Sequence, residues 1–321
     1  MSLLDFSLLV LIGAFGGGLF GAAIGGLNAF IFTGFTVLAG VAIAASGGDY
    51  DFLGNVAFGP VFGPHIAFSG GVAAAAFANR QGMIEDGKDI ASGMVGLANP
   101  AVLVVGGVFG IIGYVGQVLL DQVPLALGVG GDFGYTDTIA LMVALSNIIA
   151  RLVFGKAGII GKLSEEAAAR GRFVADGANV WVPFQKDWGM AAVIGIGAGA
   201  IGAFIVGAGF AQGDLDAAGA VLVTGFGISA ASLIFLTFGK DCPVTHHMTL
   251  PAAVAAFQML NAGFAIEAAM IVGVLFGVIG ALLGEFFARL FLIHGDTFVD
   301  PPANAIWSAT TLALILGFIV G

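Results

Sequence analysis

Long runs of apolar residues recur along this sequence from near its start to Gly321, with few charges inside them. A run of about 20 apolar residues is long enough to cross the hydrocarbon core of a bilayer as a helix. Only helices and closed barrels satisfy all of their backbone polar groups in lipid, and these runs are too long and too unalternating for barrel strands. Because 59% of the residues are hydrophobic and only 9% are charged, the sequence predicts an all-α polytopic membrane protein.

The composition also narrows the partners and the location. A net charge of −10 argues against nucleic acid as a partner, because nucleic-acid-binding surfaces are basic. The start MSLLDF lacks the positive region of a secretory signal, so we expect a retained first span from residue 6 onward. We therefore expect an integral, multi-pass protein of the plasma (cytoplasmic) membrane of a prokaryote, surrounded by the lipid bilayer. The 54 glycines and the apolar outer faces favour close helix packing and a homo-oligomer.

The two halves of the chain resemble each other. PHIAFSGGVAAAAFAN (64 to 79) aligns without a gap with HHMTLPAAVAAFQMLN (246 to 261), which pairs His65 with His247 and Asn79 with Asn261. Shorter matches follow in the same order along both halves: GGVFGIIG (106 to 113) with GVLFGVIG (273 to 280), TGF (33 to 35) with TGF (224 to 226), and IG (12 to 13) with IG (194 to 195). The sequence therefore predicts two homologous membrane repeats, residues 1 to 154 and 188 to 321.

Each half contains five apolar segments. They cover residues 6 to 26, 27 to 46, 59 to 79, 91 to 120 and 138 to 154 in the first half, and 189 to 211, 217 to 239, 243 to 262, 264 to 292 and 302 to 320 in the second. Residues 155 to 187 form the one long polar stretch between the halves. We interpret that stretch as a cytoplasmic surface linker with a short helix around SEEAAARGR.

An odd number of spans turns the second half upside down, so the predicted arrangement is an inverted 5+5 repeat. With both termini outside, all ten Lys and Arg residues fall on the cytoplasmic side and the outer loops carry only acidic charges. This is what the positive-inside rule expects. The alternative is eight spans in parallel repeats, with residues 59 to 79 and 243 to 262 re-entrant. That arrangement separates the charges less well, because it places Arg80 and Lys88 on the same side of the membrane as Asp49 and Asp51.

The third segment of each half contains residues that interrupt helices. In CPVTHHMTLPAAV, Pro243 suits the first turn of a helix, whereas Pro251 removes a backbone donor and clashes with the preceding turn. We therefore predict two half-helices joined near Leu250, and a matching break at residues 69 to 71 (SGG) in the first half. Paired interruptions in inverted halves are typical of transporters, since irregular backbone at membrane depth is tolerated only in protein or beside a water-filled cavity.

The polar residues of the spans are the candidates for a transport pathway. His65 and His247 occupy matched positions, and a histidine inside a span is costly; the alternative is that each bonds a backbone carbonyl. The full set of candidates comprises His65, Ser69, Asn79, His247, Thr249, Asn261, Glu267, Thr33 and Thr224. For several of them a structural role competes, because threonine hydroxyls bond back to their own helix, asparagines cap helix ends and a carboxylate fits the membrane interface.

Cys242 and His246 are four residues apart, so one helix face would offer sulfur and nitrogen to a soft metal. The pattern has no third fixed ligand and no counterpart in the first half, where Pro60 and Pro64 stand. Coincidence is therefore the favoured interpretation. The sequence contains no nucleophile constellation, phosphate-binding loop, dinucleotide fingerprint or zincin motif. We expect neither an enzyme nor a cofactor.

Together these observations favour a membrane transporter or channel for a small ion or polar solute, with its pathway between the two interrupted helices. The charge of the solute stays open, because a half-helix beginning at Pro251 suits an anion whereas the carbonyls before it suit a cation. Two alternatives remain. The first is a non-catalytic membrane subunit of a larger complex, and the second is a metal-dependent intramembrane enzyme that uses Cys242 and the histidines.

Overall fold

The structure is a computed structural model that describes residues 7–123, 134–177, 179–213 and 218–321. Its helices are α1 (Leu8–Ile24), α2 (Gly26–Ala45), α3 (Ser69–Arg80), α4 (Pro100–Asp121), α5 (Thr138–Phe154), α6 (Glu165–Arg170), α7 (Trp188–Ala211), α8 (Ala218–Ser232), α9 (His246–Asn261), α10 (Ile266–Phe287) and α11 (Pro301–Val320). A π-helical turn, Pro64–Phe68, precedes α3, and another, Ala288–Leu292, follows α10. The described residues form no strand, only isolated bridges.

Six helices are long and apolar enough to cross a membrane. They are α2, α4, α7, α8 with the short helix Ile234–Thr237 that follows it, α10 with its π-helical turn, and α11. Helices α1 and α5 are also apolar but shorter, at 17 residues each. The all-helical prediction is confirmed for the described residues, and the structure fits a multi-pass membrane protein. The short helix predicted around SEEAAARGR is α6.

In the first half, α3 and the π-helical turn before it pack between α1, α4 and α5. Small residues form the crossing of α1 and α4. Ala14 and Gly18 contact Gly110, and farther along α1, Ala22 contacts Gly106. The order of these contacts means that α1 and α4 run antiparallel. Small residues at such crossings let helix backbones approach closely and gain dispersion contacts in lipid.

In the second half, α9 packs between α7, α8, α10 and α11, and 13 of its 16 residues are buried, so little of it faces lipid. Helices α7 and α10 cross at small residues. Gly195 and Gly199 contact Gly277, and farther along α7, Ala203 contacts Gly273. The order of contacts again makes the two helices antiparallel.

The two halves meet through α2 with α8 and through α5 with α11. Gly34 of α2 lies against the backbone of Ala231, and Gly227 of α8 lies against Val37. A residue later in α2 thus meets a residue earlier in α8. Helices α2 and α8 therefore also run antiparallel.

The polar stretch from 155 to 187 contributes to the interior as well as to the surface. Gln185 is fully buried, and its side-chain amide donates to the Val244 carbonyl (3.3 Å) and accepts from the Val244 N–H (3.1 Å). Both backbone groups of a buried residue outside any helix are thereby satisfied. Val182 and Trp181 pack into the same core. This stretch therefore holds the irregular chain that leads into α9.

Arg151 of α5 anchors the side that the charge pattern predicts to be cytoplasmic. Its guanidinium is fully buried and donates to the Ile159 carbonyl (2.9 Å), the Thr297 hydroxyl (3.0 Å), and the carbonyls of Phe291 and Thr297. A buried charge needs this many partners to offset its lost hydration. Arg151 thereby fixes the chain just before α11 to the end of α5.

The interruptions predicted in the third segments are absent from the described helices. Helix α9 runs continuously through Pro251, and the turn Pro64–Phe68 continues directly into α3. The prediction of two half-helices joined near Leu250, with a matching break at residues 69 to 71, is therefore wrong.

Pro251 is tolerated inside α9 because the neighbouring helix α10 leaves room for the backbone carbonyl that has lost its hydrogen-bond donor. The backbone donor that it lacks would have bonded the His247 carbonyl four residues earlier. That carbonyl faces Gly280 of α10, where there is no side chain to clash. The irregular backbone instead precedes both helices, at residues 58–63 and 238–245.

Candidate functional site

A cavity of about 490 Å³ lies where α2, α5, α8, α9 and α11 meet. Small-molecule sites in proteins typically measure about 300 to 1,000 Å³. The wall is mostly apolar and contains seven aromatic side chains, those of Phe30, Phe58, Phe68, Trp181, Phe184, Phe226 and Phe298. Three ionisable side chains also line it, Asp137, Asp300 and His246, whereas no Lys or Arg does among the described residues.

The two aspartates cap the N-termini of two helices. Asp137 precedes α5 and accepts from the Ala140 N–H at 2.8 Å, and Asp300 precedes α11 and accepts from the Ala303 N–H at 2.7 Å. Aspartate is among the preferred capping residues, and its charge is stabilised by the positive end of the helix dipole. Neither carboxylate forms an ion pair within the described part of the chain.

His246, the first residue of α9, is the third ionisable group at the cavity. Its side chain is enclosed by aromatic rings, with ring centroids 4.6 Å from Phe30 and 5.9 Å from Phe226. The residue is 4% exposed, and its Nδ1 has no hydrogen-bond partner among the described residues. Buried polar atoms are usually hydrogen-bonded, so this side chain of the cavity wall carries a polar atom that the described protein leaves unsatisfied.

The starts of α5 and α11 lie side by side and point in opposite directions. Thr136, just before α5, donates to the Trp307 carbonyl (3.2 Å) within α11. Asn147, within α5, accepts from the Asp300 N–H (3.1 Å) just before α11. The two helices therefore overlap over about 11 residues, or ~16 Å, with a capping aspartate near each end of the overlap.

This overlap also contains buried polar atoms without partners. Among the described residues, Ser146 Oγ, Asn147 Nδ2 and Thr310 Oγ1 form no hydrogen bond. Natural proteins leave few such atoms, and clusters of them are typically satisfied by water. The seam between α5 and α11 therefore contains polar groups that the described protein leaves unsatisfied.

His65 and His247, the centre of the sequence-based pathway, are fully buried but do not line the cavity. The His65 carbonyl lies against Gly113 and the His247 carbonyl against Gly280. His65 Nδ1 and both ring nitrogens of His247 lack hydrogen-bond partners in the described structure, so these atoms bond no backbone carbonyl. The structure brings His246 to the cavity in place of its neighbour.

The three candidate threonines bond within the protein. Thr33 donates to the Phe62 carbonyl at 2.6 Å and thereby holds the irregular chain before α3. Thr224 bonds back to the carbonyl four residues earlier at 2.8 Å. Thr249 lies 3.3 Å from the Ser229 hydroxyl and also approaches its own helix. All three therefore have structural partners, and none lines the cavity.

The remaining candidates lie apart from one another. Ser69 is fully buried at the start of α3, and its hydroxyl has no partner among the described residues. Asn79 bonds the carbonyls of residues 84 and 85 and so closes the loop after α3. Asn261 is exposed at the end of α9, and Glu267 is exposed in the first turn of α10, where a negative charge suits the helix N-terminus.

The proposed metal ligands do not share a helix face. Helix α9 begins at His246, so Cys242 lies in the irregular chain before it, where its thiol donates to the Ser232 carbonyl at 3.3 Å. The expectation that a helix presents both side chains is therefore wrong. No group of three metal-ligating side chains occurs among the described residues.

Asp137 and Asp300 were missed as functional candidates, although a signal for each is present in the sequence. Each precedes the last apolar segment of its half, in YTDTIALM and FVDPPANA, which is the N-cap pattern of a helix start. A cap alone predicts a structural role. Only the position of the two helix starts around one cavity distinguishes these caps from that of Asp187 before α7.

The fold and the cavity fit a multi-pass helical membrane protein with an internal site between its two halves. The chain belongs to DUF7973, described as a family of unknown function, whose family model matches residues 1–321. No curated protein matches the chain, and no solved structure matches it. The geometry of the chain itself therefore carries the functional argument.

Proposed function

We propose that this protein is a membrane transporter or channel built from two inverted repeats. Its substrate, a small ion or polar solute, passes through the cavity between them. The observation that carries the proposal is that residues from both halves, including the capping aspartate before the last helix of each, line this one cavity. The repeat, the inversion and the pathway are each supported by separate contacts.

The repeat is supported by contacts that correspond between the halves. The sequence alignment pairs Gly113 with Gly280 and His65 with His247, and each glycine lies against the carbonyl of the histidine in its own half. The same correspondence relates these further contacts: Ala14–Gly110 with Gly195–Gly277, Gly18–Gly110 with Gly199–Gly277, Ala22–Gly106 with Ala203–Gly273, and Gly21–Ala67 with Gly202–Thr249. In these contacts, each residue of α1 pairs with a residue of α7 one position away from the one that the IG match would give.

The directions of the helices favour inversion over the re-entrant alternative. Helix α1 runs parallel to the third segment, since Pro60 lies beside Gly13 and Ala67 beside Gly21. It runs antiparallel to α4. A third segment that crosses completely gives these directions, whereas a re-entrant one would make α1 and α4 parallel. The equivalent helices α2 and α8, and likewise α5 and α11, are antiparallel to each other, as inverted repeats require.

The cavity is lined from both halves by residues that correspond when α5 and α11 are aligned at their capping aspartates and the third segments are aligned as in the sequence match. The pairs are Asp137 with Asp300, Ile139 with Pro302, Ala140 with Ala303, Val143 with Ile306, and Pro64 with His246. A site shared in this way lies at the pseudo-two-fold axis between inverted repeats. Substrate sites of secondary transporters are found at this interface, near the bilayer midplane.

Filling the cavity tests the pathway. Ala303→Trp adds a large side chain to the cavity wall, and Leu312→Trp adds the same side chain to an exposed position of the same helix. The purified variants are reconstituted in liposomes, and entry of choline chloride, potassium chloride, potassium acetate and glycerol is followed by light scattering. We expect at least one solute to enter faster than in empty liposomes, and the cavity variant alone to abolish that flux.

The histidine pair provides a second comparison. If the pathway runs through the cavity, His65→Ala and His247→Ala lower thermal stability but leave the flux per folded molecule unchanged. A flux that survives Ala303→Trp and is lost in the histidine variants would move the pathway to the histidines. Absence of protein-dependent flux for every solute would instead favour a non-catalytic subunit of a larger assembly.

A further inference from the structure

We infer that the cavity binds an organic cation, with the charged head at Asp137 or Asp300 and the apolar body against the aromatic wall. This inference rests on the proposed function, because it names the substrate class of the same site. It is carried by the chemistry of the lining residues.

The charge of the occupant follows from the carboxylates. Asp137 and Asp300 line a largely apolar space, and no Lys or Arg among the described residues lines it with them. Each carboxylate caps its helix, and neither forms an ion pair among the described residues. A carboxylate in a low-dielectric cavity is stabilised by a positive partner. The described protein supplies no positive side chain here, so a positively charged occupant is the one that these two side chains favour.

The body of the occupant follows from the aromatic rings. Cations are attracted to the faces of aromatic rings, an interaction strengthened where water is excluded. Phe30 and Phe226 flank His246 within the wall, and Trp181 lines it as well. The free Nδ1 of His246 is a hydrogen-bonding group that points to a ligand independently of the helix caps. It suits a polar substituent on an amine or ammonium ion.

A bare metal ion is disfavoured by the same geometry. Ca²⁺ and Mg²⁺ need about six or more oxygen ligands around one point. The two aspartates are separated by about ten helical residues, or ~15 Å along the overlap of α5 and α11, so they cannot ligate one ion together. They provide instead two equivalent positions for a cationic head, one toward each end of the cavity.

Equilibrium binding tests this inference without requiring transport. Phenyltrimethylammonium and its neutral carbon isostere, tert-butylbenzene, are titrated by calorimetry into the full chain in lipid nanodiscs, with empty nanodiscs as the blank. We expect the cation to bind about tenfold more tightly than the isostere, since the two differ only in charge. Equal affinity of the two compounds, or no binding of the cation, overturns the inference.

Neutralising variants locate the cationic head. The double variant Asp137→Asn with Asp300→Asn should weaken cation binding about tenfold or more and leave the isostere unaffected. Asparagine caps helices about as well as aspartate, so the fold is expected to survive. Asp187→Asn is the matched control, because Asp187 caps α7 in the same way, accepting from the Gly189 N–H at 2.9 Å, but lies outside the cavity.

A ring variant covers the case in which the double variant does not fold. Phe226→Leu keeps the wall apolar and removes one aromatic face. It should weaken binding of the cation several-fold more than binding of the neutral isostere. An equal effect on the affinities of both compounds contradicts the inference. If the cation binds but no solute is transported, the inferred cation site stands and the proposed transport function is refuted. If another solute is transported but the cation does not bind, the transport function stands and the inferred cation site is refuted.

Discussion

Substituting the glycines at two close helix contacts, one in each half, should destabilise the protein by similar amounts. Gly113 and Gly280 each lie so close to a histidine backbone that an added Cβ would overlap the carbonyl oxygen. The variants that test this are Gly113→Ala and Gly280→Ala. Gly16→Ala and Gly197→Ala are the controls, because both glycines are exposed within helices and an added Cβ there has no neighbour within 4 Å.

The expected magnitude follows from what the new methyl group strikes. Overpacking a core commonly costs ~1–3 kcal/mol, and a backbone carbonyl of a buried helix cannot change rotamer to relieve it. We therefore expect about 3 kcal/mol for either buried glycine, or a fall of about 6 °C in Tm at ~2 °C per kcal/mol. At the control positions alanine should gain ~0.5–1 kcal/mol, because glycine weakens a helix interior.

Thermal unfolding of the four single variants in the same detergent measures these shifts, with tryptophan fluorescence as the signal. Membrane proteins often unfold irreversibly, so every scan uses one heating rate. Similar Tm values for all four variants would refute the close approaches. A large loss at Gly113 with none at Gly280, or the reverse, would refute the proposed equivalence of the two halves.

Two further predictions concern the linker and the orientation of the chain. Gln185→Ala leaves the buried Val244 N–H and C=O unpaired and should lower the free energy of unfolding by ~2–4 kcal/mol. The control, Gln212→Ala, changes an exposed residue and should alter stability little. Equal Tm values for the two variants would contradict this role of Gln185. In a Cys242→Ser background, a cysteine replacing Arg170 should react with a membrane-impermeant maleimide only in inverted vesicles, and one replacing Asp51 only in intact cells. Labelling of the Arg170 position from outside would reverse the proposed orientation.

The features predicted correctly from sequence depend on local information. The helices of each half lie within the predicted apolar segments apart from small shifts at their ends, because the length of an apolar run and its capping residues are written in adjacent positions. The short helix at Glu165–Arg170, which Ser164 caps, lies within the predicted stretch SEEAAARGR. The internal similarity that underlies the proposed repeat is also legible in the sequence alone.

The interruption of α9 was mispredicted because its outcome depends on another helix. The rule that proline breaks a helix is local, but the chain continues through Pro251 where Gly280 leaves space for the carbonyl that has lost its donor. These two residues are 29 positions apart. The sequence contains both residues but not the fact that they meet.

The sequence by itself determined that this protein is helical and apolar enough to cross a membrane several times, because lipid permits few alternatives to a helix. Tertiary structure decided which polar residues share a site. Neighbouring residues on a helix point about 100° apart, so the packing around α9 put His246 at the cavity and His247 away from it. Asp137 and Asp300 read as ordinary helix caps, and only the antiparallel overlap of α5 and α11 brings both to one cavity.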